Sequence, residues 1–393
     1  MDNQSKIQNP KSKIAIVGAG PAGSSLAIRL AERGFETVLI ERERFPRHKL
    51  CGEFISPECL VHFRELGVLD VMLAAGGHRV YETRFFETGG RWITVPSGWF
   101  GGEAFAVSLS RAEMDHRLLQ RARQAGVEVL EGITISGVDS DGGRVRSAVG
   151  RGENGNLSKI NADVFIDATG RGGVLRRSVE KRSGQEVKSF NKPAFVGFKS
   201  HIAGAGVPPG RCEIYSFPGG YAGLSRVESD RANLCFLIRS DAVRSSTGGA
   251  AEIVETVVSR NTRAAETLRN YRADTDWLAV SINGFGTKDP APASNLFTVG
   301  DAASFIDPFT GSGMVMALES SEVLANVIIT NPNTPDRIAS EYRAAYRLRF
   351  SRRLRVCSLL RRAAFMPRLA TVFVSSLGVN SNARRLLARA TRR

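Results

Sequence analysis

Ile14-Ala15-Ile16-Val17-Gly18-Ala19-Gly20-Pro21-Ala22-Gly23 decides the fold of this chain. Four β-prone residues run into glycines at 18, 20 and 23, and then into the helix-compatible Ser24-Ser25-Leu26-Ala27-Ile28-Arg29-Leu30. The three glycines serve different ends. Gly18 permits a tight strand-to-helix turn, Gly20 lets a pyrophosphate approach the backbone, and Gly23 lets the helix pack closely. Pro21 and Ala22 fall in the first helical turn, whose free N–H groups and dipole favour an anion. Glu41 closes the next apolar run, eighteen residues after Gly23, where an acid can accept hydrogen bonds from an adenosine ribose; Arg42 follows it. Strand, glycines, helix and acid together predict a dinucleotide site.

A second apolar strand, Leu296-Phe297-Thr298-Val299, ends in Gly300-Asp301, and Asp307-Pro308-Phe309-Thr310-Gly311-Ser312-Gly313-Met314 leads into a long helical stretch. On these residues the chain resembles the FAD-dependent oxidoreductases of the p-hydroxybenzoate hydroxylase superfamily, and within them the geranylgeranyl reductase-like branch. The resemblance implies FAD as cofactor, with Gly300 and Asp301 at the ribityl chain. It places the segment Pro308, Gly311, Ser312, Gly313 and Met314 at a helix N-terminus facing the flavin pyrimidine, where a positive dipole end stabilises a reduced flavin. Leu109-Ser110-Arg111-Ala112-Glu113-Met114-Asp115 resembles the segment whose arginine, here Arg111, reaches the FAD phosphates or ribose. Val164 to Gly170 resembles the strand and Ala-Thr-Gly turn of two-domain flavoproteins.

Arg47-His48-Lys49-Leu50-Cys51-Gly52-Glu53 resembles the Cys-Gly segment that passes beside the isoalloxazine ring in the reductase-like branch. Cys51 and Gly52 are therefore expected at the cofactor, with Cys51 and Glu53 as candidate catalytic groups. Cys51 either tunes the flavin, forms an adduct or donates a proton, or it is a small packing residue with Glu53 a capping acid.

The implied architecture is α/β: a Rossmann-like FAD-binding domain with a parallel sheet, a mostly antiparallel substrate sheet, and C-terminal helices. The FAD-binding domain is expected to be discontinuous, over 1–75, 104–189 and 285–330. Residues 76–103 and 190–284 are expected to form the substrate domain, and 331–393 a basic helical extension. Strands are expected at 79–86, 91–95, 194–202, 212–217, 221–227, 232–239 and 277–282, with one helix over about 250–270.

Net charge is +15, and the last 63 residues carry fifteen arginines against only Asp336 and Glu341. Tyr342, Tyr346, Phe350, Leu354 and Cys357 recur at helical spacing, which describes amphipathic helices rather than a polybasic tail. Those helices either pack on the catalytic domain or, with the apolar Ala370-Thr371-Val372-Phe373-Val374, attach to an anionic membrane surface. No base-stacking or reading motif accompanies the charge, so nucleic acid is not expected as a partner. Cysteines 51, 59, 212, 235 and 357 are scattered without a CxxC, as reduced thiols in a cytoplasmic protein are, and no metal-ligand spacing is present.

Three chemistries run on this architecture: hydride delivery to a carbon–carbon double bond, aromatic hydroxylation and halogenation. The Trp-x-Trp-x-Ile-Pro segment associated with halogenases is absent, which argues against halogenation. Hydroxylases carry an Asp-Gly pair and a basic residue serving FAD and NADPH; here Thr169 replaces that aspartate, while Arg176 keeps the basic position. NADPH or NADH enters only as a candidate electron donor. In the stretch corresponding to the reductases' Tyr-x-Trp-x-Phe-Pro, only Tyr221 matches, making it the candidate substrate contact. The expected function is flavin hydride transfer to a hydrophobic isoprenoid, polyketide or quinone-like molecule. Alternatives are an FAD monooxygenase and a flavin electron-transfer protein without turnover.

Overall fold

The computed structural model describes residues 12–182, 184, 193–244, 248–332, 334–364 and 380–392. Its nucleotide half is a five-stranded parallel sheet in the order Leu296–Thr298, Val164–Asp167, Lys13–Val17, Glu36–Glu41, Glu128–Glu131. Its central strands are buried on both faces, as the near-continuous apolar runs require. Helix Pro21–Ala31 packs on helix Gly313–Thr330, and both sit over this sheet. The latter helix has the length and apolarity to cross a membrane. Here, however, it is a core helix that also buries Glu319, Ser320 and Ser321.

Eight strands make the second sheet. Phe195–Ala203, Ala232–Arg239, Gly220–Arg226 and Arg211–Phe217 pair antiparallel in that order, and Leu278–Ile282 pairs with the first of them. Glu82–Phe86 joins Arg211–Phe217 in parallel and then pairs with Trp92–Pro96. The chain segment expected to run as one strand from Arg79 to Phe86 is divided at Tyr81. His78–Val80 pairs instead with Ala106–Ser108, which also takes Phe54–Ile55, the continuation of the Cys51 loop.

The single helix expected over about 250–270 is two, Gly249–Thr256 and Thr262–Thr267. Asn261 breaks it: its Oδ1 caps the second helix by accepting from the Ala264 N–H at 3.1 Å. Its amide nitrogen donates to the carbonyls of Glu87 and Ser216, both at 3.0 Å. An asparagine that satisfies buried backbone on two strands is worth more there than a continuous helix.

The long helix Pro335–Ala364 buries Tyr342, Tyr346, Phe350 and Cys357, the apolar stripe read from the sequence, in the nucleotide-side core or against the Pro308 segment. Its Arg353 is 1% exposed and forks onto Glu319, at 2.5 and 3.2 Å. A final helix, Ser381–Ala390, is capped by Asn380. The apolar run Ala370–Val374 lies outside the described residues.

Candidate active site

Three glycines of the opening motif divide the work as their surroundings dictate. Gly18 has φ +105°, and a Cβ there would strike the carbonyl of Ala168. A Cβ on Gly23 would strike the Gly18 carbonyl. At Gly20 the nearest atom to an added Cβ is Arg111 Nη2, 3.7 Å away, so this position faces open space over the helix start. The helix beginning at Pro21 has neither a side-chain cap nor an acid in its first turn. Glu41 Oε2 accepts the Ala19 N–H at 2.9 Å, and Oε1 accepts those of Arg42 and Glu43 at 3.0 and 3.2 Å. The Arg42 side chain is exposed and pairs with Glu43 at 3.2 Å.

Helix Gly313–Thr330 is brought against the cradle by residues seven and eight places into it. Ser321 Oγ donates to the Ala22 carbonyl at 2.7 Å, and the Gly300 N–H donates to Ser320 Oγ at 2.9 Å. Helix Gly313–Thr330 also lacks a capping side chain and a first-turn acid, and among the described residues nothing lies within 4 Å of a Cβ on Gly313. Two uncapped helix starts, the first at an open glycine cradle, are what a pyrophosphate and a reduced flavin ring need. Arg111 forks onto buried Asp115 at 2.7 and 2.8 Å, and Arg47 reaches the same carboxylate at 3.0 Å. Burial pushes the Asp301 carboxyl up, opposed by the charges of Arg171, Arg111 and Lys49, so this acid sits amid cations at the cradle's floor. The residues present fit FAD.

Below the Cys51 loop lies a cluster that the sequence reading missed. Glu53 is fully buried with φ +54°, a left-handed conformation uncommon outside glycine. Its carboxylate meets Lys199 Nζ, accepts from His201 Nε2 at 2.7 Å and accepts the Arg111 N–H at 2.8 Å. Burial alone would push this carboxyl up; the His201 hydrogen bond and the Lys199 charge reverse that and hold it below the usual range. Lys199 and His201 are alternate residues of strand Phe195–Ala203 and so share a face. Asn233, opposite His201 in the sheet, donates to the Cys51 carbonyl at 3.1 Å. The signal was available: a lysine and a histidine two apart on one face of an otherwise apolar strand.

Cys51 is half-buried, its Sγ 3.4 Å from the Glu53 nitrogen, and Gly52 beside it is exposed with none of the described residues within 4 Å of an added Cβ. Burial pushes the thiols of Cys59, Cys212 and Cys235 up to about 12, and Cys357 is raised by burial as well. Under native conditions at neutral pH, iodoacetamide is therefore expected to label Cys51 first, and added FAD is expected to slow that labelling. Peptide mass mapping checks both; equal labelling of Cys51 with and without FAD removes the loop from the cofactor's edge.

Tyr221 is buried rather than open: its hydroxyl donates to Asp307 Oδ1 at 2.7 Å and its ring meets Phe309 edge-on at 5.1 Å. It braces the Pro308 turn. Arg176, the basic residue matched to the hydroxylase pattern, has its guanidinium on Glu180 at 2.5 Å, while Asp167 accepts its N–H at 2.9 Å. A cavity of about 950 Å³ opens between residues 285–290, the segment 305–307 and the long helix. Phe285, Phe305, Ile306 and Leu354 line it, with Lys288, Arg347 and Arg355 also along its wall. Phe285 and Phe305 stack at 5.0 Å, and Cys357 at the cavity's edge lies 3.7 Å from Thr310 of the Pro308 turn.

The family model described as "FAD binding domain" matches residues 11–343. The chain belongs to that family. Among its relatives, a tryptophan 2-halogenase of Chondromyces crocatus is 29% identical over 338 residues, covering 81% of this chain and 61% of the halogenase. A digeranylgeranylglycerophospholipid reductase of Methanosarcina acetivorans is 26% identical over 320 residues, covering 79% of this chain and 73% of the reductase. The flavin-dependent brominase Bmp2 superposes with a TM-score of 0.80 at 20% identity, covering 97% of this chain and 93% of the brominase. The chain spans about three fifths of the length of the first two curated relatives it matches, 61% and 63%. This FAD-binding chain thus has both reductase and halogenase relatives, and the missing tryptophan segment does not by itself set it apart from the halogenases.

Proposed function

We propose that this oxidoreductase adds a hydride and a proton across an activated carbon–carbon double bond of a hydrophobic isoprenoid, polyketide or quinone-like molecule. The observation that carries this reading is the half-buried Cys51 thiol, backed by a buried Glu53–Lys199–His201 cluster on the substrate sheet. Bound FAD, once reduced, supplies the hydride. The chain's part is the rest. Cys51 gives the proton to the adjacent carbon, and the cluster beneath holds its loop in one conformation. The aromatic cavity takes the apolar body of the substrate and aligns it. The cations along its wall, Arg347 and Arg355, take an acidic group at the substrate's remote end. NADPH or NADH is proposed as the electron donor, acting without Arg176.

The second reading is oxygen-dependent halogenation or hydroxylation, and the halogenase relatives favour it. Chemically reduced holoenzyme mixed under argon with a panel of unsaturated prenyl acids and quinones separates the two. Flavin reoxidation with a saturated product supports the reductase. Turnover only in air, giving an oxygenated or, with bromide present, brominated product, replaces it. In the reductase assay Cys51→Ala is expected to lower kcat about 100-fold with FAD retained, the worth of a positioned proton donor. Arg347→Gln combined with Arg355→Gln is expected to raise KM about tenfold for acidic substrates alone, as loss of one charge-assisted hydrogen bond does. Unchanged KM values remove those arginines from the substrate's path.

A further inference from the structure

The turn from Pro308 to Gly311 carries the chain into the helix that faces the flavin, so whatever holds this turn sets the cofactor's surroundings. Gly311 adopts φ +62°, which points successive carbonyls away from the helix they precede. Those half-buried carbonyls need donors. They are met from eighty residues away in sequence. Arg392, 5% exposed, donates from Nη2 to the Thr310 carbonyl at 3.0 Å, and from Nη1 to the Gly311 carbonyl at 3.2 Å and Ser312 Oγ at 3.1 Å. Its guanidinium lies 4.4 Å over the Phe100 ring, and its Nε is 3.3 Å from Glu58 Oε1. The return contact is also made, since Ser312 Oγ lies 3.2 Å from the Thr391 carbonyl as donor. Buried Arg353, anchored on Glu319 of the flavin-side helix, donates to the Arg392 carbonyl. Helix Ser381–Ala390, which presents these two residues, packs on strand Trp92–Pro96 and the turn Ser97–Trp99. Residues 381–392 therefore tie the turn to strand Trp92–Pro96 through the helix, and to the long helix through the Arg392 carbonyl.

We infer that residues 381–392 are a latch on the flavin-side turn, with Arg392 a positioning residue for the N-terminus of helix Gly313–Thr330. The latch works in two ways. It orders the turn, so the uncapped N–H groups of the helix are aimed before the cofactor arrives. It also adds a buried cation behind them, favouring the anionic reduced flavin over the oxidised one. Lysine cannot replace it fully, because a point charge does not span two carbonyls and a hydroxyl as the fork does. This inference rests on the family's cofactor and not on which reaction follows, so it survives a failure of the reductase reading.

Two measurements test it. In Arg392→Gln holoenzyme, the preference for reduced over oxidised FAD is expected to fall about tenfold, read as a midpoint about 30 mV more negative for the two-electron couple. Arg392→Lys, which keeps the charge, is expected to leave the midpoint nearer the parent while still weakening FAD binding. A parent-like midpoint and FAD affinity in Arg392→Gln overturn the latch. The second measurement needs no variant. In hydrogen exchange of the intact cofactor-free chain under increasing mild urea, peptides covering 308–316 are expected to lose protection together with those covering 381–392. Protection at 308–316 that persists after 381–392 has opened contradicts the proposal.

Discussion

Lys199→Met is expected to destabilise the protein by about 3–5 kcal/mol, because it leaves the Glu53 carboxylate buried without its cation. Glu53 and Lys199 are 0% and 2% exposed, so water cannot take the lost partner's place. The double variant Glu53→Leu with Lys199→Met removes both charges at similar volume and is expected to recover most of that loss. It is not expected to recover activity, since Glu53 also receives the Arg111 N–H and fixes the loop that carries Cys51. Urea unfolding followed by far-UV circular dichroism, beside a turnover assay, checks the pair. A fully stable Lys199→Met shows that the ion pair does not hold the loop.

The same cluster sets a pH dependence. The folded state holds Glu53 below its ordinary value of 4.5, so its carboxylate stabilises the fold above about that pH. The contribution is lost as the pH falls through the lower folded value. In acid titrations Glu53→Gln, which has no such carboxylate to lose, is expected to show a shallower fall in stability over that window, although it starts less stable.

How much of this was legible in the sequence follows from how local each feature is. The opening strand, its glycines, the helix and Glu41 lie within 28 residues and read directly, because turn geometry and helix polarity are local properties. The second strand and the Gly300–Met314 segment read equally well, for the same reason. The apolar stripe through Tyr342, Tyr346 and Phe350 was clear as periodicity, but not which surface it would meet. Lys199 and His201 were missed because their meaning depends on Glu53, 146 and 148 residues distant, which only the packing of one sheet's loop on another sheet brings near. The run through Tyr81 read as one strand because alternation does not reveal that the two ends join different sheets. The helix break at Asn261 was hidden likewise, since its cause is backbone on strands far away in sequence. Arg392 looked like one more arginine in a basic tail; only folding makes it a buried one.

Gly20→Ala tests whether FAD lies across the two uncapped helix starts. A methyl group there meets no protein atom closer than Arg111 Nη2 at 3.7 Å, whereas one at Gly18 or Gly23 strikes backbone. The variant is therefore expected to fold with parent-like stability, unlike Gly18→Ala, which is strained by φ +105°. Its methyl occupies the space through which the pyrophosphate approaches the Pro21 helix, so about two charge-assisted hydrogen bonds are lost, at roughly 1.5–3 kcal/mol each. The measurement is a fluorescence titration of cofactor-free Gly20→Ala protein with FAD, beside the parent and beside a urea melt of each. An unchanged melt and an FAD affinity weaker by about 1,000-fold are expected, the loss of roughly 4 kcal/mol of binding. An unchanged melt with parent-like FAD affinity contradicts the placement of the cofactor.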